Sequence, residues 1–198
     1  DRRAGIGLIL TLAAAFVLRA VLAFTVEGYG ADMGCFGAWA GRMASGGAGN
    51  FYQEGYFCDY PPAYMLVLGM STGSLGFQAL MKMVPIACDL ALAAVCYAAA
   101  KKKFGNGVSL AVAAMLALNP AFIVTGSCWG QIDSVLALLL VLMLLNAREG
   151  QWTIAIPIFA LAVLAKPQAG LLVPLGVAAL MKEAKLGEHR GKSIVLGL

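Results

Sequence analysis

The run GIGLILTLAAAFVLRAVLAFTV, residues 5–26, restricts this chain more than any other feature. About 20 consecutive apolar residues carry a helix across a bilayer. This run contains one charge, Arg19. It is too long for the apolar core of a secretory signal, and no small-residue cleavage site follows it. It therefore reads as a retained transmembrane helix. Similar stretches recur, giving candidate spans near 5–26, 80–100, 107–125, 132–146, 151–165 and 168–181. The last three are short, as tilted members of a bundle or partly re-entrant segments shielded by protein would be. Only 12% of the residues are charged, against about a quarter in a soluble domain, and the mean hydropathy is +0.84. The expected fold class is all-α, a polytopic transmembrane helical bundle of about six spans.

Lysine and arginine placement orients the bundle. With a cytoplasmic N-terminus and alternating spans, Arg2, Arg3, Lys101, Lys102, Lys103, Arg148, Lys182, Lys185, Arg190 and Lys192 all fall on the cytoplasmic side. Only Arg19, Arg42, Lys82 and Lys166 do not. The reverse topology would export the triple lysine. This orientation requires residues 60–74 to be non-spanning, as a helix in or against the outer leaflet, begun by Pro61 and Pro62. Proline is tolerated in a first helical turn, where its missing N–H would have had no partner. The outer side then carries a long first loop, about 27–79, together with GSCWGQIDS (126–134) and AKPQAG (165–170). The chain starts at Asp1 and ends in the apolar SIVLGL. It is expected to be one module, 1–198, forming the N-terminal part of a longer chain.

The five cysteines, Cys35, Cys58, Cys88, Cys96 and Cys128, form no CxxC, and the one histidine, His189, lies in a polar tail. A Cys/His zinc site is therefore not expected. Cys35 and Cys58 flank one loop. Either they form a disulfide in an extracytoplasmic setting, or they are two small residues.

The polar outer stretches hold the chemistry. Residues 27–59 contain Glu27, Asp32, Glu54 and Asp59 beside one basic residue, Arg42. Phe36, Trp39 and Met43 recur at helical spacing and predict a short amphipathic helix on the membrane surface. Asp32 stands at its start, as an N-cap or as a fixed carboxylate suited to a general base. Asp59 either caps the helix that follows or helps close the loop over a pocket. Lys82 and Asp89, seven positions apart, share one helix face. Arg19 lies at a similar depth. A lone charge within a membrane costs several kcal/mol, so Arg19 and Asp89 are expected to pair or to share a polar cavity. Trp129 is an interfacial anchor with Asp133 as a cap, or else Gln131 and Asp133 face one side of an extended segment. Lys166, beside Pro167, either snorkels to headgroups or holds an anion.

Carboxylates above cations at headgroup depth suit a reaction between a lipid-linked phosphate and a polar acceptor. A carboxylate takes the acceptor's proton, and Lys166, Lys82 and Arg19 stabilise the departing phosphate. The same pattern would serve a lipid-phosphate phosphatase, a transporter or flippase for a lipid-linked or anionic solute, or a non-catalytic scaffold. Asp32 and Asp59 could hold a divalent metal, though no ligand spacing demands one. Nothing points to nucleic acid.

Four features together resemble the GT-C integral-membrane glycosyltransferases that use polyprenyl-phosphate sugars. These are the acid in YGADMGCFGAWA, then CDYPPAY, then KMVPIACDLAL, then WGQIDS followed by KPQ. Their order is similar to the glucosyltransferases of N-glycan assembly, and more so to bacterial proteins related to the second GPI-anchor mannosyltransferase. The resemblance implies a bacterial plasma-membrane enzyme with an extracytoplasmic site. It would transfer a mannose- or glucose-type hexose, with inversion, from a polyprenyl phosphate to an acceptor glycan, lipid or protein. It also implies Asp32 as the base, with Asp59, Tyr60, Lys82, Gln131, Asp133, Lys166 and Gln168 as substrate-binding neighbours. Such proteins are usually longer than this chain.

Overall fold

A computed structural model describes residues 2–70 and 77–184. The expected cytoplasmic cations Lys185, Arg190 and Lys192, His189, the SIVLGL end, and residues 71–76 of the first loop lie outside the described residues. Along the chain come α1 (Arg2–Thr25), α2 (Gly30–Gly46), α3 (Pro62–Met70), α4 (Phe77–Lys101), α5 (Asn106–Ala117) and the single turn α6 (Pro120–Phe122). A π-helical segment (Ile123–Trp129) follows, then α7 (Asp133–Arg148), α8 (Trp152–Ala165), a 3₁₀ stretch (Pro167–Leu172) and α9 (Val173–Ala184). No strand occurs among the described residues, so the fold is all-α.

The chain forms two compact units, Asp1–Tyr56 with Met65–Leu138, and Phe57–Tyr64 with Leu139–Leu198. In the first, α1, α4 and α5 meet along a seam of small residues, Ala15, Ala93 and Ala117, flanked by Leu12, Leu90 and Leu116. The buried stripe of α1 is Ala15, Arg19 and Ala23, and that of α5 is Ser109, Ala113 and Ala117. Four-residue spacing keeps each stripe on one face. Small side chains let the helix backbones approach, as helices in lipid do. The rest of α1 presents apolar side chains outward, Phe24 being 72% and Ile9 66% exposed. A helix apolar on every side belongs in a core or a membrane. Among the described residues, three segments are long and apolar enough to cross a membrane: Arg2–Thr25, Met81–Lys101 and Asn106–Trp129. Trp152–Ala165 and Pro167–Met181 are shorter apolar helices. The described part of α3 is nine residues long, a rise of about 14 Å at 1.5 Å per residue.

The span expected at 107–125 lies within Asn106–Trp129, and the helix breaks inside it at Asn119–Pro120. Pro120 has no N–H to continue α5. Asn119 caps the new turn instead, its Oδ1 accepting from the Ala121 amide at 2.9 Å. The helix then widens into π turns up to Trp129.

The first loop folds back on α2, whose buried face is Met33, Phe36, Trp39, Ala40 and Met43. Arg42 organises it. Its Nε donates to the Phe51 carbonyl at 2.9 Å, its Nη2 to the Asn50 carbonyl at 3.3 Å, and its guanidinium lies 4.0 Å from the Tyr56 ring centre. Phe51 is fully buried. All five cysteines are free thiols, so Cys35 and Cys58 form no disulfide.

In the second unit, α8 buries Trp152, Ala155, Ala162 and Ala165. It stops at Ala165 because Pro167 follows: Lys166 takes extended backbone angles (φ −152°, ψ 122°) and Pro167 opens the 3₁₀ stretch.

Candidate functional site

Asp32 is the third residue of α2, not its N-cap. Tyr29 occupies the capping position, with no side-chain cap. The Asp32 carboxylate instead leaves its own helix and meets the last residue of the π segment and the turn beyond it. Trp129 Nε1 donates to Oδ2 at 2.7 Å, and Gln131 Nε2 donates to the same oxygen. Oδ1 receives neither bond. A carboxylate held by two N–H groups from a distant segment is fixed in direction, and charge-assisted hydrogen bonds are the strong ones. Asp32 is half-buried and Trp129 is 43% exposed, so the group remains open to a solute.

Local backbone chemistry builds this arrangement. The Thr125 carbonyl accepts from the amides of both Gly130 (3.1 Å) and Gln131 (3.0 Å), which closes the π segment. Gly130 makes the exit turn at φ +96°, a left-handed conformation that favours glycine. The Tyr29 amide donates to the Trp129 carbonyl at 3.3 Å, and the two rings lie 5.2 Å apart. Met33 is buried, and a Cβ at Gly130 would lie 2.6 Å from its methyl. Sequence reading singled out neither Tyr29, Met33 nor Gly130. Gly130 between two hydrogen-bonding side chains was the available signal. Asp133 opens α7 and is exposed, while Gln131 is turned to Asp32.

Two buried cations have other partners. Arg19 Nη2 lies 3.4 Å from Asp89 Oδ2, and Arg19 Nη1 donates to the Ala117 carbonyl at 2.6 Å. Both side chains are shut from solvent, so neither faces a solute. Lys82 is also fully buried. Its Nζ lies 2.5 Å from the Val26 carbonyl and 3.5 Å from the Ala23 carbonyl. The expectation that Lys82 faces substrate therefore gives way to a local role. Its ammonium satisfies carbonyls left open at the C-terminal end of α1, where the helix dipole is negative.

The remaining candidates lie in the second unit. Lys166 Nζ sits 5.9 Å from the centre of the Tyr60 ring, within the range of a cation–π contact. Tyr60 and Tyr64 pack with ring centres 5.3 Å apart, and Cys58 Sγ donates to the Tyr60 carbonyl at 3.4 Å. Burial, with Tyr60 alongside, pushes the Tyr64 phenol above its ordinary range, so it stays a neutral hydroxyl. Asp59 and Gln168 are exposed. The structure thus joins DYPPAY to AKPQ in one unit, and Asp32 to WGQ in the other. Among the described residues no three acidic, histidine or cysteine side chains gather as metal ligands.

No curated protein and no solved structure matches the chain. Residues 59–196, more than half of it, match the family described as dolichyl-phosphate-mannose-protein mannosyltransferase. The matched stretch contains the Tyr60–Lys166 contact and the Trp129–Gln131 segment, and begins beyond Asp32. By that match and its apolar helices the chain belongs to this mannosyltransferase family and is an integral-membrane protein of the GT-C glycosyltransferase-like class.

Proposed function

We propose that the chain transfers a mannose- or glucose-type hexose from a polyprenyl phosphate to an acceptor hydroxyl on the extracytoplasmic face, with Asp32 as general base. The observation that carries the reading is the Asp32 carboxylate, fixed on Oδ2 by Trp129 and Gln131 with Oδ1 clear of both. A base must lie within hydrogen-bond reach of the proton it takes, and a fixed carboxylate meets that need better than a mobile one. The Asp32 carboxylate accepts the acceptor's hydroxyl proton as that oxygen forms a bond to the anomeric carbon. The bond from that carbon to the phosphate oxygen breaks, and the polyprenyl phosphate leaves with the electron pair. Attack from the opposite face inverts the anomeric centre.

Lys166 is the cation we assign to the donor phosphate. Asp59, Tyr60, Gln131, Asp133 and Gln168 are substrate-binding candidates on the same resemblance. No step requires a metal. Lysine and arginine placement supports a cytoplasmic N-terminus, and the resemblance to bacterial proteins supports a bacterial plasma membrane.

The test is a transfer assay on the purified full chain in lipid nanodiscs, with a panel of polyprenyl-phosphate sugars, beside Asp32→Asn. Donor consumption that vanishes in the folded variant supports the reading. Consumption at the parent rate in Asp32→Asn removes Asp32 as base. Tight donor binding without turnover in either protein replaces the enzyme with a carrier.

A further inference from the structure

The carbonyl of Ala117, the last residue of α5, would ordinarily accept from the Ala121 amide one turn on. That amide is already held by Asn119 Oδ1, and Arg19 Nη1 takes its place on the Ala117 carbonyl at 2.6 Å. The same guanidinium reaches Asp89 Oδ2 at 3.4 Å. The Ser134 side chain, in the first turn of α7, stands close to the same carboxylate. Between these two anchors the backbone passes close to the pair. A Cβ on Gly126 would lie 3.3 Å from Asp89 Oδ2 and 3.5 Å from Ser134 Oγ. One buried chain of contacts therefore touches the start, the middle and the end of the segment 117–134.

An ion pair that only joined two helices would need none of this. Burying two charges is expensive, and apolar residues of similar size often hold helices together as well or better. Apolar residues cannot satisfy the Ala117 carbonyl. π-helical turns are rare and gather at functional sites. This one ends in Trp129 and leads to Gln131, the two donors to Asp32.

We infer that Arg19 and Asp89 are positioning residues: they fix the π-helical segment and its exit turn so that Trp129 and Gln131 meet Asp32. The catalytic consequence rests on the reading of Asp32 as the base, whereas the placement of Trp129 stands apart from it.

The experiment uses the full chain and the double variant Arg19→Met/Asp89→Leu, which removes both charges and keeps the volume. Thermal melting reports the fold. The ¹⁵N–¹H signal of the Trp129 indole, assigned with Trp129→Phe, reports its bond to Asp32, and Asp32→Ala supplies the position of the unbonded indole. The expected result is a folded double variant, with the indole signal moved toward the Asp32→Ala position. In the transfer assay kcat falls by up to about a hundredfold, the cost of roughly an ångström of misplacement, with donor KM within about twofold. A folded double variant whose indole signal matches the parent overturns the inference. Should the double variant not fold, Ser134→Ala decides: a displaced signal supports the strut and an unmoved one overturns it. A displaced signal beside full activity in Asp32→Asn upholds the placement and overturns the catalytic role.

Discussion

The indole N–H of Trp129 donates to Oδ2 of Asp32 at 2.7 Å, across 97 positions of chain. Gln131 donates to the same oxygen. A surface carboxylate needs no such help to be soluble. Two donors on one oxygen leave the carboxylate a single orientation, and catalysis gains from orientation more than from contact. Two sequence motifs, the acid after the first span and the WGQ segment, thereby join the π turns in one geometry.

Removing a donor should loosen that geometry without removing the base. Trp129→Phe keeps the ring and deletes the N–H, while Gln131→Ala deletes the amide. A hydrogen bond to a charged group is worth about 1.5–3 kcal/mol, so each variant should lose roughly tenfold or more in kcat. Because both bonds serve one oxygen, the double variant should lose less than the product of the two. A strictly multiplicative loss in the transfer assay would mean that the two side chains act separately.

Lys82 should matter for stability and not for donor binding. Its ammonium meets the Val26 and Ala23 carbonyls at the end of α1. Lys82→Met keeps the stem and leaves those carbonyls without their donor, at a cost of about 1–3 kcal/mol. The melting temperature should fall while donor KM stays at the parent value. A raised KM at an unchanged melting temperature would return Lys82 to the substrate.

The contrast between Lys82 and Asp32 shows what sequence could and could not supply. Apolar run length located α1, α4 and α8 within a few residues, because the bilayer sets the length of a span. The periodicity of Phe36, Trp39 and Met43 located the buried face of α2. The cost of a lone intramembrane charge pointed to a partner for Arg19, and Asp89 lies beside it. Periodicity gives a face and not a partner, so the contact of Lys82 with a carbonyl 56 positions away was not legible. The break at Asn119–Pro120 was legible as a proline signal and went unread within an apolar run. The π turns after it have no sequence signature. The Trp129–Asp32 and Lys166–Tyr60 contacts are long-range events that local pattern places on one side of the membrane at most.

Gly130 carries a constraint of backbone more than of space. At φ +96° an alanine is strained, at about 1–3 kcal/mol. Its Cβ would also meet the Met33 methyl at 2.6 Å, but that methyl ends a flexible side chain and can swing aside. Gly130→Ala should therefore lower the melting temperature and weaken transfer. Adding Met33→Ala should recover little of either. Full recovery in the double variant would show that crowding by Met33 dominates.

Lys166 is the remaining test of the donor end. In the second unit its ammonium lies over the Tyr60 ring at 5.9 Å, where a partly exposed cation–π contact is worth about 0.5–1 kcal/mol. On the proposed reading the donor phosphate is a further partner of this lysine. Lys166→Ala should raise donor KM about tenfold or more, since a charge-assisted bond to phosphate is lost, and change kcat at saturation far less. Tyr60→Phe keeps the ring face and should raise KM less than loss of the ring does. Tyr60→Leu removes it and should raise KM by roughly two- to fivefold. Donor titration of the four proteins separates the possibilities. Parent-like KM in a folded Lys166→Ala would show that the lysine serves headgroup lipids or helix termination alone.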